Sequence, residues 1–138
     1  MTDGATRTGG CLCGAVRYSA PATPTVVAAC HCHDCQKQAG SAFSLLAISP
    51  RNAVTFEGEL ALFLGRGDSG NAIERRFCKA CGSPISSDND AMRAGGVIVI
   101  KAGTLDDVSD LQPAIHYWTR SKQDWLALPA DVPQRDTD

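Results

Sequence analysis

The sequence predicts one mainly-β domain of antiparallel strands, and three observations carry that prediction. Short apolar or β-branched runs recur along the chain, separated by turn-forming Gly, Pro, Asn and Asp. Residues 14–20 alternate, with Val16 and Tyr18 on one face and Arg17 and Ser19 on the other, the period of a half-buried strand. The 138 residues, 43% hydrophobic and 20% charged, suit a single domain with its own core. A chain of this size hides roughly two-thirds of its unfolded surface without disulfide staples.

Residues 1–8 are polar and are expected to be flexible, with the domain proper running over 9–128. Beyond the strand at 14–20, Pro21 and Pro24 interrupt the pairing, and residues 25–29 form a second strand. Residues 34–38 make one helical turn that Gly40 ends. The runs 41–49, 53–57 and 60–64 read as strands, punctuated by Pro50-Arg51-Asn52 and by Gly58. A Gly/Asp/Ser loop over 65–71, with a candidate anion nest at 65–70, precedes a strand at 72–77. Further strands are expected at 84–87 and 97–102, on either side of the polar stretch 88–96. Leu105-Asp106-Asp107 reads as a turn, 115–118 as a last strand, and 121–126 as a short helix with Ser121 as its N-cap. Residues 129–138 read as a flexible tail. Phe43, Phe77, Trp118 and Trp125 are assigned to the core.

A formal charge of -2 provides no basic field for nucleic acid or an anionic membrane. No apolar run approaches the ~18 residues of a membrane span. Met1 to Gly10 lacks the apolar stretch of a secretory leader, so a reducing, cytoplasmic location is expected.

Seven cysteines fall in three tight groups: Cys11-Leu12-Cys13, Cys30-His31-Cys32-His33-Asp34-Cys35 and Cys78-Lys79-Ala80-Cys81. One or two intervening residues put sulfurs where a single metal ion can bridge them. Seven divides into four and three. The outer pairs can supply a closed four-cysteine site, and Cys30, Cys32 and Cys35 a three-ligand site with one position open. Other divisions remain open: Cys32 and Cys35 can join Cys78 and Cys81 as two C-x-x-C knuckles, or four cysteines can hold an iron–sulfur cluster. His31 and His33 are possible ligands, or residues that flank a turn and face solvent. His116 is either a proton carrier or a satisfied strand histidine.

The order Gly10-Cys11-Leu12-Cys13-Gly14-Ala15-Val16-Arg17-Tyr18, then the Cys30–Cys35 group, Gly40-Ser41-Ala42-Phe43 and Arg76-Phe77-Cys78-Lys79-Ala80-Cys81-Gly82-Ser83-Pro84, resembles the glutathione-dependent formaldehyde-activating enzyme family. His116-Tyr117-Trp118 and Ser121-Lys122-Gln123-Asp124-Trp125 are similar to its C-terminal signature. The resemblance implies a β-tent fold with two zinc ions per chain. It implies structural zinc on Cys11, Cys13, Cys78 and Cys81, and catalytic zinc on Cys30, Cys32 and Cys35. The activity implied is that of a carbon–sulfur lyase that makes or cleaves S-hydroxymethylglutathione.

Three thiolates make zinc a weaker Lewis acid than three histidines do, so the site suits a substrate thiol better than a hydrolytic water. The partners expected are therefore a small thiol such as glutathione and a small aldehyde. Arg66, Arg75, Arg76, Lys79 and Lys122 are the candidates to meet glutathione's carboxylates. The alternative function is a non-catalytic binding module scaffolded by two structural zinc ions; a redox or metal sensor is the weaker third reading.

Overall fold

The computed structural model describes residues 5–66 and 70–138. The centre of the candidate anion nest and the first four residues of the N-terminal segment lie outside the described residues. Ten strands among those described divide into two sheets. The smaller joins β1 (Thr6–Gly10), β2 (Arg17–Pro21) and β5 (Thr55–Glu57) in that order. The larger runs in the order β10 (Ile115–Tyr117), β3 (Val26–Cys30), β4 (Ser44–Pro50), β9 (Val97–Lys101), β8 (Pro84–Asp88), β7 (Ala72–Cys78) and β6 (Leu60–Arg66). Every pairing is antiparallel except β10 with β3. The domain is mainly β, as the sequence predicts.

The alternation at residues 14–20 has its expected consequence. Val16, Tyr18 and Ala20 are buried and meet Ala47, Ile85 and Ile100 in one core cluster, which also takes in Cys11 and Cys78. The Tyr18 hydroxyl lies 2.7 Å from Thr104 Oγ1, so the ring is buried without stranding its polar end. β3, β8 and β9 are almost wholly buried, which explains their near-continuous apolar or small-residue sequences. Gly58 closes the β5–β6 turn at φ +99, and a Cβ there would lie 2.2 Å from the Ala15 carbonyl oxygen. Only glycine lets that turn press against the segment carrying Cys11 and Cys13.

Strand register decides what the larger sheet presents on each face. Cys30 pairs with Ser44, Leu46 with Lys101, Ile48 with Val99, Val99 with Ser87, and Ser87 with Arg75. Because side chains alternate along strands, these residues share one face. The opposite face carries Ala47 and Ile100 into the core.

The two α-helices are short. α1 (His33–Ala39) is capped by Cys32 and by Gly40, and is two residues longer than expected. α2 (Asp90–Ala94) lies within the stretch expected to be merely polar. Asn89 caps it by accepting from the Met92 N–H at 2.8 Å, with Asp90 in the first turn and Arg93 in the last. The helix expected at 121–126 is absent. Instead a 3-10 turn, Thr119–Ser121, ends where that helix was to begin. Trp125, assigned to the core, is 71% exposed and donates from Nε1 to Gln123 Oε1.

Described parts of both segments expected to be flexible carry paired backbone. β1 begins at Thr6, inside the segment expected to be flexible. At the other end the His116 N–H donates to Pro133 O at 3.0 Å, and the Arg135 N–H to His116 O at 2.9 Å. Residues of the tail thus line the outer edge of β10, supplying partners that an edge strand otherwise lacks.

Ile85 is fully buried in the core cluster. Ile85→Ala should lower unfolding free energy by roughly 2–5 kcal/mol in denaturant titration. The same change at Leu62, 53% exposed, should stay within about 0.5 kcal/mol. At the rim, hydrogen bonds from the Arg17 guanidinium and the Thr8 hydroxyl hold the Asp106 carboxyl at about 2, against an ordinary 3.8. A depressed folded pKa stabilises above the ordinary value and is lost as pH falls through the depressed one. Asp106→Asn should therefore flatten the loss of stability between about pH 4 and 2, followed as the denaturation midpoint.

Candidate metal centres

Cys11 and Cys13 follow β1 in a tight turn, in which the Gly14 N–H donates to Cys11 O and the Cys11 N–H to Val16 O. The Val16 N–H also points at Cys11 Sγ, 3.2 Å away. A second turn follows β7: the Gly82 N–H donates to Cys78 O, and the Ala80 and Cys81 N–H groups donate to Cys78 Sγ at 3.3 and 3.4 Å. Gly82, at φ +80, closes it. Such N–H···S contacts stabilise a sulfur in its charged form. Ser83 links the turns, receiving the Leu12 N–H at 3.0 Å while its hydroxyl lies 3.2 Å from Cys81 Sγ. Hydrogen bonds from that hydroxyl, then from the Ser83 and Cys13 backbone, hold the Cys81 thiol down at about 5.

The four sulfurs lie within 4.8 Å of one another. Cys11 and Cys13 Sγ are 3.6 Å apart, and Cys13 and Cys78 Sγ 3.8 Å. Four sulfurs placed tetrahedrally at the zinc–sulfur bond length would be about 3.8 Å apart. The spacing, the soft donors and the N–H···S contacts all fit such an ion.

Cys30, Cys32 and Cys35 form a second group within the same 4.8 Å limit. Cys30 ends β3, while Cys32 caps α1 and its sulfur accepts the Cys35 N–H at 3.3 Å. The Cys30 and Cys35 thiols, with the Cys35 and Asp34 N–H groups, hold Cys32 far below the ordinary thiol range. Those contacts with Cys32 and Cys35, with burial, drive the Cys30 thiol up. The local spacing that the sequence singled out thus brings all three sulfurs together, and the seven divide as four and three.

This group lines a cleft of about 330 Å³ on the face that register assigned to Cys30. Leu46, Ile48, Val99 and Trp118 form apolar wall, while Arg75 and Lys101 bring charge. Lys101 is 6% exposed, and its ammonium donates to Ser44 Oγ at 3.0 Å. Burial pushes its pKa down, and attraction to the sulfurs of Cys35, Cys30 and Cys32 opposes that.

The histidines sit apart from the sulfurs' ligand geometry. His31, expected to be a possible ligand or to face solvent, is instead fully buried, with Nε2 2.9 Å from His116 Nδ1. Burial, then the neighbouring His116, depresses His31 to about 4, and burial also lowers His116. At neutral pH both are uncharged imidazoles sharing one proton bridge, which makes His116 a satisfied strand histidine. His33 is exposed and belongs to neither sulfur group.

Of the five cations nominated from sequence, Arg75 reaches the cysteine cleft. Arg76 pairs with Glu74, Lys79 with Glu59, and Lys122 donates to the Leu126 and Gln123 carbonyls. Arg66 lines a neighbouring cleft of about 500 Å³ with no cysteine in its wall, which Arg75 lines as well. Lys101 was not nominated. Its only signal was a charge ending the run Val97–Lys101, and its burial depends on pairing with β4.

A model of the glutathione-dependent formaldehyde-activating enzyme family matches residues 6–121, a span that contains all seven cysteines. The chain belongs to that family. A crystal structure of a Rhodobacter sphaeroides protein is similar in fold, with a TM-score of 0.56 at 17% identity over 92% of this chain and 98% of that one. Family membership and the cysteine geometry agree on two centres that could hold metal, and no helix among the described residues is long and apolar enough to cross a membrane.

The four-sulfur cluster sits where the two sheets meet, so its loss should be felt globally. Cys78→Ser should remove one equivalent of metal and lower the melting temperature by ten degrees or more, roughly the effect of losing several kcal/mol. Metal analysis and calorimetry on the same sample check both parts.

Proposed function

We propose that this chain is a zinc-dependent enzyme of the carbon–sulfur lyase type, forming or cleaving the hydroxymethyl adduct of glutathione or a similar small thiol. The observation that carries this reading is the opening of Cys30, Cys32 and Cys35 into an apolar-walled cleft that also holds two buried cations. Family membership supports glutathione and formaldehyde as the reacting pair. On this reading Cys11, Cys13, Cys78 and Cys81 hold a closed, structural zinc, and the three-cysteine group a second zinc with a position left for substrate. A cytoplasmic, reducing location would keep all seven thiols available.

Zinc on three thiolates supplies a fourth position at which a substrate thiol readily gives up its proton. The chain's residues do the rest. Leu46, Ile48, Val99 and Trp118 limit water around the incoming sulfur, and Lys101 offsets the negative charge gathered by Cys30, Cys32 and Cys35. In the forward direction the sulfur forms a bond to the aldehyde carbon and the carbonyl π pair moves to oxygen. That oxygen takes one proton, balancing the one released by the thiol. The product is a hydroxymethyl thioether; the reverse breaks the carbon–sulfur bond and returns aldehyde and thiol.

X-ray absorption on the zinc-loaded protein tests the reading. Glutathione should add sulfur to the average zinc shell, and S-methylglutathione, which has no ionisable thiol, should not. Cys32→Ser should lose turnover and one zinc of two while keeping a cooperative melt, because the closed centre still ties the sheets. An unchanged zinc spectrum at millimolar glutathione, with both ions equally resistant to chelation, would point to two closed structural sites and a binding module.

A further inference from the structure

His31 joins Cys30 to Cys32 through two peptide planes, and each plane is tied down. The Cys30–His31 plane donates its N–H to Tyr117 O at 3.0 Å, beside the parallel pairing of β3 with β10. The His31–Cys32 plane is held by its carbonyl. Gln36, a residue of α1, donates to His31 O from Nε2 at 2.8 Å. The same Nε2 donates at 2.9 Å to Ser121 O, the last residue of the 3-10 turn. One amide thus uses both its hydrogens on two carbonyls from distant segments.

That amide is itself held. Gln36 Oε1 accepts from Gln123 Nε2 at 3.1 Å, and Gln123 Oε1 accepts from Trp125 Nε1 at 2.6 Å. The direction of the line is fixed at both ends, because an indole N–H only donates and a backbone carbonyl only accepts. Neither glutamine can turn over without setting donor against donor and acceptor against acceptor. Three side chains therefore form one polarised line from an exposed indole to the backbone between two cysteines, and bonds in such a line strengthen one another. Tethering residues 119–126 would need only the bond to Ser121. That segment is also tied to itself, since Lys122 donates to the Gln123 and Leu126 carbonyls. The bond to His31 is the one that reaches the sulfur cluster.

We propose that Gln36 is a positioning residue for the three-cysteine centre, fixing the His31–Cys32 peptide and so the aim of the Cys30 and Cys32 sulfurs, while Gln123 fixes Gln36. Neither glutamine touches metal or substrate; each acts through the backbone. Rotation of that one peptide plane would swing the Cys32 sulfur relative to Cys30, and a centre with three protein ligands has no fourth to hold the ion meanwhile. Groups that orient metal ligands from behind contribute roughly ten- to hundredfold to metal affinity. The inference rests on the preceding reading only in placing a metal on Cys30, Cys32 and Cys35, and it holds whichever thiol reacts there.

The test compares wild type, Gln36→Leu, Gln123→Glu and the double variant, each loaded with two cobalt ions per chain. Cobalt retention is followed against a graded chelator, and the ion at the three-cysteine centre is identified as the one missing from Cys32→Ser. Gln36→Leu removes both donated bonds at nearly the same size. Gln123→Glu sets an acceptor against Gln36 Oε1 and so turns that amide away from His31. Each single variant should hold this ion about tenfold or more weakly and shift its visible bands, with the four-cysteine ion unchanged. The double variant should lose no more than about twofold beyond Gln36→Leu, because both changes break one line. Gln36→Lys, whose ammonium can donate to both carbonyls, should recover most of the affinity. Single variants that melt earlier yet hold the ion within about twofold of wild type would reduce the line to a tether and overturn the proposal. Additive losses in the double variant would overturn it as well. If Gln36→Leu does not fold, Gln123→Glu decides on the same readout. A wild type that takes up only the four-cysteine ion would sink the metal reading itself, and the positioning role with it.

Discussion

Four sulfurs from segments 65 residues apart meet at one point in this protein, and much of the architecture exists to let them meet. Cys11 and Cys13 leave the smaller sheet, while Cys78 and Cys81 leave the larger one. Each pair sits in a turn whose backbone N–H groups are aimed at sulfur. Between them Ser83 receives one turn's N–H and touches the other turn's sulfur. Gly58 allows a third turn to close against the same region. Cys11 and Cys78 are counted in the apolar core, so the junction of the sheets is part packing and part sulfur chemistry.

The three-cysteine cluster obeys a different constraint. Its ligands come from six consecutive residues, where a strand ends and a helix is capped, so its formation asks little of the global fold. What the global fold contributes is everything around it. The larger sheet brings Ser44, Lys101, Ser87 and Arg75 to the face that carries Cys30, from four other strands. A slip of one residue between β4 and β9 would turn Lys101 to the opposite face and leave the sulfurs without their nearest cation. The cluster is local, and its surroundings are a property of register.

That distinction explains which parts of the protein could be read from its sequence. Cysteine spacing is local information, and both sulfur groups assembled along the division it suggested. Most strands were legible too, because Val16, Tyr18 and Ala20 alternate and the central runs are uniformly apolar. Long-range pairing was not. Nothing local marks Lys101 for burial, and His31 reads as a ligand or a turn residue; pairing with β4 covers the first, and His116 on the parallel strand β10 meets the second. Trp125 failed in the other direction, since its size suggested burial while a side-chain hydrogen bond holds it at the surface. The α2 helix was missed because five residues are too few to show a period, although Asn89, Asp90 and Arg93 spelled out its cap and its charges.

The closing segment of the chain has a practical meaning for anyone handling this protein. β10 is the outermost strand of the larger sheet, it is only three residues long, and its free side is occupied by residues 133–137. The same strand carries His116 against His31, directly between Cys30 and Cys32 in sequence. Tags, fusions or trimming at the carboxyl end therefore act on a load path that runs through one hydrogen-bonded strip and one imidazole contact to the sulfur cluster. Removing residues 133–137 would bare that edge, and an unpaired strand edge is a template for association with another chain.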